Sequence, residues 1–267
     1  DLCVNGPADK LNLTENTQPA ILCTSIAILR ALEKKGLKAE AAAGHSLGEY
    51  SAITAAGGIE FKDAVALVQK RGRYMQEAVP AGVGLMAAIL GLERSDVEKS
   101  CLEAAKNGIV APANYNSPGQ IVIAGEKTAV EKAMELAKAA GAKKVVPLAV
   151  SVPSHCSMMK DAGEKLAKEL DTITIRDLRF PIVNNANAKF LRTAAELKPS
   201  LLRQISSSLY WEDSINRMTA EGFDTFIEVG PGKVLSGLVK RIAKDAKVLN
   251  VEDAKSMSDT LAALGIN

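Results

Sequence analysis

The chain has 267 residues, 47% hydrophobic and 24% charged, the composition of a soluble globular protein with a large buried core. Its 33 basic and 31 acidic residues leave a formal charge of only +2, and 4% aromatic content offers few stacking platforms, which argues against a nucleic-acid partner. Four cysteines without Cys-x-x-Cys spacing, no secretory signal and no apolar run of about 18 residues argue against a metal site and a membrane span, and point to a reduced, cytoplasmic setting.

In chain order, helical and strand signals alternate, the pattern of a parallel sheet covered by helices. Pro19 falls where the first turn of a helix belongs, and residues 20–36 then run with apolar helical periodicity to a terminating Gly36. Residues 37–46 read as a strand, on the strength of the serine motif at 44–48 rather than of their alanines. In that motif Gly44-His45-Ser46-Leu47-Gly48 fits Gly-x-Ser-x-Gly, a tight turn that pushes a serine hydroxyl out between strand and helix. Side chains at either glycine are expected to collide with the turn. By itself the pattern is equally that of an ordinary glycine-containing turn. A short helix runs on to Gly57-Gly58, and residues 61–79 form a long amphipathic helix.

Residues 82–150 read as a separate βαββαβ unit, the ferredoxin-like split motif. Its two helices are expected to open with capping boxes, Ser95 with Glu98 and Thr128 with Glu131. Two of its strands flank a Ser117-Pro118-Gly119 turn, and "KKVVPLAV" closes it. Beyond it "FPIVNN" and "TFIEVG" read as buried strands, and "KVLSGLVKRIAK" as a helix after Gly230-Pro231-Gly232. The chain thus divides into a discontinuous larger domain, 1–81 and 151–267, and a smaller one, 82–150.

A nucleophilic serine needs a base, and the chain has two histidines. His45 adjoins Ser46, so on an extended strand it points to the opposite side, which leaves His155. A lone histidine is more commonly a surface or satisfied core residue; the unmet need of Ser46 reverses that preference. Cys156 beside it reads as a buried structural thiol. On the 61–79 helix, Phe61, Ala64, Val65, Val68, Met75 and Val79 share one stripe, and Arg71 falls roughly 60° from Val68, the one charge bordering that face. Such an arginine either snorkels to solvent or enters the serine's pocket, where it could grip a carboxylate through two parallel hydrogen bonds.

The islands "TQPAIL", "GHSLGEYSA", "RGRYMQEAVP", "NSPGQIVIAG", "VSVPSHC", "PIVNN" and "EVGPGKVL" together resemble the malonyl-CoA:acyl carrier protein transacylases of type II fatty acid synthesis, over essentially the whole chain. The resemblance implies an α/β-hydrolase-like parallel sheet flanked by helices, with a ferredoxin-like subdomain inserted. It implies Ser46 as nucleophile, His155 as base and Arg71 as the clamp for malonyl's free carboxylate. It also implies the Leu47 N–H as an oxyanion donor and the Gln204 backbone carbonyl as the group orienting the histidine. Asn114 and Asn116 either line the cleft between domains or serve the neighbouring turn. Malonyl-CoA and acyl carrier protein are the implied partners of a monomeric enzyme that needs no cofactor and no metal, its electrophile being an activated thioester.

Two rivals remain at this level. A serine esterase or thioesterase would share Ser46 and His155 but pass the acyl group to water. A non-catalytic module would only dock the carrier, using basic residues such as Lys189, Arg192, Lys240, Arg241 and Lys244, charges that elsewhere are simply solvated. One departure from the family pattern stands out. The family's opening strand, with a Gly-Gln-Gly turn whose glutamine N–H supplies a second oxyanion donor, has no counterpart before "DLCVNGPADKLNLTENTQPAIL". The expectation is a fragment of a longer enzyme, unstable by itself and at least about a hundredfold slower.

Overall fold

A computed structural model describes residues 2–148 and 152–266. Its strands are β1 (Ala42–Ala43), β2 (Gly84–Leu90), β3 (Val110–Ser117), β4 (Gln120–Glu126), β5 (Lys144–Pro147), β6 (Ile182–Val183), β7 (Phe190–Leu191), β8 (Leu209–Tyr210), β9 (Thr225–Val229) and β10 (Lys247–Val251). They form open α/β sheets flanked by helices, the architecture expected of an α/β-hydrolase-like fold with an inserted unit. Two of the parallel pairings fall between β1 and β6 and between β9 and β10. These lie in separate sheets, and β7 adds antiparallel to β6, so the larger part is mixed rather than wholly parallel.

The five-stranded sheet has the order β5-β2-β4-β3-β8. Its first four members are antiparallel throughout, as the split βαββαβ motif requires, and β3 and β4 meet at the expected Ser117-Pro118-Gly119 turn. The fifth strand comes from elsewhere in the chain. β8 pairs parallel to β3 through Asn114 with Leu209 and Tyr115 with Tyr210. A cation–π stack reinforces the junction: the Arg94 guanidinium lies 3.9 Å from the Tyr115 ring centroid and 3.1 Å from Asp213. β8 directly follows the Ala194–Ser206 helix, so the small sheet is tied to the helix that carries Gln204.

Several local expectations need correction. The first long helix is Thr14–Lys34, so Pro19 sits inside it, where its missing N–H removes one intrahelical bond. The strand entering the serine turn shrinks to Ala42–Ala43, consistent with the weak strand preference of alanine. Neither expected capping box forms, because the helices Arg94–Ala104 and Lys127–Ala139 begin before Ser95 and Thr128. At the second, sheet bonds set the boundary: Glu126 N–H donates to Ile109 O at 2.7 Å and Lys127 N–H to Val83 O at 2.9 Å. β6 is fully buried, but β9 is only half-buried. Residues 149–150, the expected end of the last subdomain strand, lie outside the described residues.

The main apolar core joins the helices Thr14–Lys34, Leu47–Ala55, Phe61–Ala78, Lys160–Leu170 and Ala194–Ser206 through Leu22, Ile53, Val68, Leu166, Leu197 and Leu201. Each such side chain contributes about 1.5–3 kcal/mol of transfer free energy. The small sheet has its own core, including Ile89, Val97, Ile121, Ile123 and Val130.

Candidate active site

Ser46 caps the start of the Leu47–Ala55 helix with φ 53° and ψ −105°, a conformation that costs a non-glycine residue about 1–3 kcal/mol. Four hydrogen bonds hold it there. Ser46 N–H donates to Asn185 Oδ1 at 2.8 Å, and Asn185 Nδ2 donates to Gly44 O at 2.7 Å. Gln204 Nε2 donates to Ser46 O at 2.8 Å, and Asn185 N–H donates to Glu49 Oε2 at 3.0 Å. The steric demand on the turn falls on Gly44 alone. A Cβ there would lie 1.9 Å from Gly48 C and O, whereas one at Gly48 meets nothing within 4 Å, contrary to the expectation that both glycines are required.

His155 is buried and adopts φ 60°. Its Nδ1 lies 2.8 Å from Gln204 O and its Nε2 2.8 Å from Ser46 Oγ. A carbonyl only accepts, so Nδ1 carries the proton and the Nε2 lone pair faces the serine hydroxyl. Burial first, and the Arg71 cation second, hold the imidazole well below its ordinary value. It is therefore neutral and free to take a proton at pH 7.

Arg71, on the Phe61–Ala78 helix, is 1% exposed, which overturns the snorkelling alternative; Phe61 at the helix start is 43% exposed and leaves the stripe. Arg71 Nη2 donates to Ser46 Oγ at 3.1 Å and to Gln204 Oε1 at 3.1 Å, and Nη1 donates to Gln18 Oε1 at 2.7 Å. Among the described residues its Nε–H has no protein partner. The guanidinium also lies 5.2 Å from the Tyr50 ring centroid. Leu47 occupies the first turn of its helix, where backbone N–H groups have no intrahelical acceptor.

The remaining residues of interest sort themselves by contact. Asn114 and Asn116 lie buried within β3, not at the turn, and Asn116 Oδ1 accepts from His45 Nε2 at 2.9 Å. Cys156 Sγ donates to Pro153 O at 3.1 Å, and burial pushes its thiol up to about 11, the behaviour of an inert thiol. Lys189, Arg192, Lys240, Arg241 and Lys244 are exposed. Among the described residues no group of three or more His, Cys, Asp and Glu is arranged to hold a metal ion, and no helix is long and apolar enough to cross a membrane.

Three residues that sequence reasoning gave no role contact the site: Gln18, Glu49 and Asn185. All three lie inside the family-like islands, in "TQPAIL", "GHSLGEYSA" and "PIVNN". Glu49 carried a further signal, as the one charge in an otherwise apolar and small-residue helix, "LGEYSAITA".

The acyl transferase domain family matches residues 1–260. The chain is 49% identical over 261 residues to the malonyl CoA-acyl carrier protein transacylase of Escherichia coli K12, covering 97% of this chain and 84% of that protein. It superposes on the crystal structure of an acyl carrier protein S-malonyltransferase from Vibrio cholerae with TM-score 0.95 and 47% identity, over 97% of this chain and 85% of that one. It is equally similar, with TM-score 0.95 and 48% identity over 98% and 85% of the two chains, to a malonyl-transacylase solved in complex with its type II PKS acyl-carrier protein.

Proposed function

We propose, for a chain that belongs to the malonyl-CoA:acyl carrier protein transacylases within the acyl transferase domain family, that Ser46, His155 and Arg71 carry the reaction. That reaction is the ping-pong transfer of malonyl from malonyl-CoA to acyl carrier protein. The single observation that carries the assignment of roles is the Ser46 hydroxyl. It lies 2.8 Å from a neutral imidazole nitrogen and 3.1 Å from a buried guanidinium.

In the first half-reaction Ser46 Oγ attacks the thioester carbonyl while His155 Nε2 takes its proton. The Gln204 carbonyl holds Nδ1–H, so the resulting imidazolium keeps its orientation. The tetrahedral oxyanion is met by the Leu47 N–H at the helix start. The C–S bond then breaks, and His155 returns its proton to the departing thiolate of CoA. In the second half-reaction the phosphopantetheine thiol of the carrier gives its proton to His155 and attacks the malonyl-serine ester; Ser46 leaves with that proton. Arg71 grips malonyl's free carboxylate, for which a thioesterase acting on simple acyl groups has no use.

Asn116 lines the cleft in this reading, acting through His45. The two separate cores support residues 82–150 as a subdomain inserted between 1–81 and 151–267. We assign the enzyme to the cytoplasm, and the free thiols of Cys3, Cys23, Cys101 and Cys156 support a reducing compartment.

Intact mass spectrometry tests the assignment. Malonyl-CoA should add one malonyl group at Ser46, and phosphopantetheinylated carrier should then remove it and gain the same mass. An adduct lost to water with no gain on the carrier identifies a thioesterase; no adduct at all identifies a docking module.

A further inference from the structure

Glu49 is fully buried, lies three residues after the nucleophile and takes no part in either half-reaction. Its carboxylate accepts from neutral donors: Asn185 N–H at 3.0 Å and Gln204 Nε2 at 2.9 Å on Oε2, and Ser200 Oγ at 3.4 Å on Oε1. A buried carboxylate is expensive to keep, so what it orders matters.

It orders the Gln204 amide, whose two ends face opposite chemistry. Oε1 faces a donor, Arg71 Nη2, at 3.1 Å. Nε2 faces three acceptors: Ser46 O at 2.8 Å, Glu49 Oε2 at 2.9 Å and Asn185 Oδ1 at 3.4 Å. A flipped amide would set its N–H groups against the guanidinium and its oxygen against those three oxygens. Of the three, Glu49 is the ionisable one, and when ionised it accepts a charge-assisted bond, roughly twice as strong as a neutral one. The amide also stands between two buried ionisable groups, Arg71 and Glu49. Arg71 is steadied by Gln204 without a protein carboxylate occupying the donors that a substrate carboxylate needs.

We propose that Glu49 is a positioning residue for malonyl selection: by fixing the Gln204 amide it holds the Arg71 guanidinium in the orientation that accepts the malonyl carboxylate. This rests on Arg71 being the carboxylate clamp. The prediction concerns selectivity rather than activity alone. Releasing the amide lets Arg71 turn away, which harms malonyl loading and leaves acetyl loading comparatively untouched. Glu49→Gln is the conservative variant. Its side-chain oxygen can still accept from Asn185 and Gln204 while its amide nitrogen donates to Ser200 Oγ.

The experiment compares wild type, Glu49→Ala, Glu49→Asp, Glu49→Gln and Arg71→Ala. For each, the ratio of malonyl-CoA to acetyl-CoA loading rates is read by intact mass, with thermal melts to identify folded variants. Glu49→Asp keeps the charge but withdraws it by one methylene, and so carries the test if Glu49→Ala does not fold. Glu49→Ala and Glu49→Asp should each lower the ratio by about tenfold or more, with Glu49→Gln restoring it to within about threefold of wild type. A merely structural role slows both substrates together and leaves the ratio in place. An unchanged ratio in whichever of the first two folds overturns the proposal, as does a Glu49→Gln protein as unselective as Glu49→Ala. Arg71→Ala keeps the readings separable. If it retains the wild-type ratio, the clamp itself is refuted and the proposal with it; if it loses the ratio and the Glu49 variants do not, only the role of Glu49 falls.

Discussion

Arg71 Nη2 lies 3.1 Å from Ser46 Oγ, so the buried cation of the Phe61–Ala78 helix and the hydroxyl that caps the Leu47–Ala55 helix meet directly. A substrate joined to that oxygen brings a carboxylate two carbons away into the reach of the guanidinium. Arg71→Ala should therefore cost malonyl loading on the order of 3–5 kcal/mol, because the substrate carboxylate is left desolvated and unpaired. Acetyl-CoA brings no carboxylate and should lose little. Loading rates for both substrates on the same variant check this, and an equal loss for both would make Arg71 a structural residue.

The Ser46 to His155 contact at 2.8 Å sets the second expectation. Ser46→Ala should form no malonyl adduct. His155→Ala should form it slower by about two to four orders of magnitude, since it loses general-base assistance. Stopped-flow or quenched loading followed by mass spectrometry measures both.

The pH profile gives a third. Burial and Arg71 both hold the His155 imidazole below its ordinary value, so the base stays unprotonated in mildly acidic buffer. The acid limb attributable to His155 in kcat/KM should fall below the unperturbed imidazole pKa of about 6.5. Arg71→Ala removes the second of three causes, burial being the first and His45 the third, and should move that limb upward. Acetyl-CoA is the substrate to use, because it reports the base without the clamp. A limb at or above the ordinary value in wild type would contradict the geometry.

Glu49 gives a fourth, on stability. Burial pushes its carboxyl up to about 7, against 4.5 for the unburied group, with the Asn185, Gln204 and Ser200 hydrogen bonds and Arg71 opposing the shift. Between those values the native state binds the proton and the unfolded state does not, so the contribution of Glu49 to stability falls as pH rises, and the fall is complete above about pH 7. Glu49→Gln carries no such charge. Its stability relative to wild type should rise across that window by up to roughly 3 kcal/mol, from the shift at 1.36 kcal/mol per unit. Paired denaturant titrations at pH 4.5 and pH 8 measure it; a constant difference would show that Glu49 is not titrating there.

The turn supplies the fifth. At Gly44 a methyl group would overlap the Gly48 backbone at 1.9 Å, with no flexible side chain to give way. Gly44→Ala should destabilise the protein beyond the ordinary overpacking cost of about 1–3 kcal/mol. Gly48→Ala meets nothing and should be neutral or gain up to about 1 kcal/mol of helix propensity. Thermal melts of the two variants distinguish them, and equal losses would refute the assignment of the steric demand to Gly44.

Local pattern alone identified the amphipathic Phe61–Ala78 helix, the βαββαβ order and the placing of Arg71 beside the apolar face, because each is written in spacing along the chain, whereas the serine motif by itself was equally an ordinary turn. Elimination pointed to His155, there being only one other histidine, and its Nε2 lies 2.8 Å from Ser46 Oγ. The sequence was less able to set helix starts. Whether Glu126 belongs to a strand or a cap depends on Ile109 O, contributed by another segment. The network behind the serine was out of its reach altogether. Gln18, Glu49, Asn185 and Gln204 come together only when distant segments cross, as where Gln204 meets Ser46, 158 residues away. A polar side chain has no period that shows its partner, and its bond exists only once chain crossovers bring donor and acceptor within about 3 Å and bury them. So the groups proposed to react were legible in the chain, while the shape in which they are held, and which amide end faces the arginine, was decided by tertiary structure.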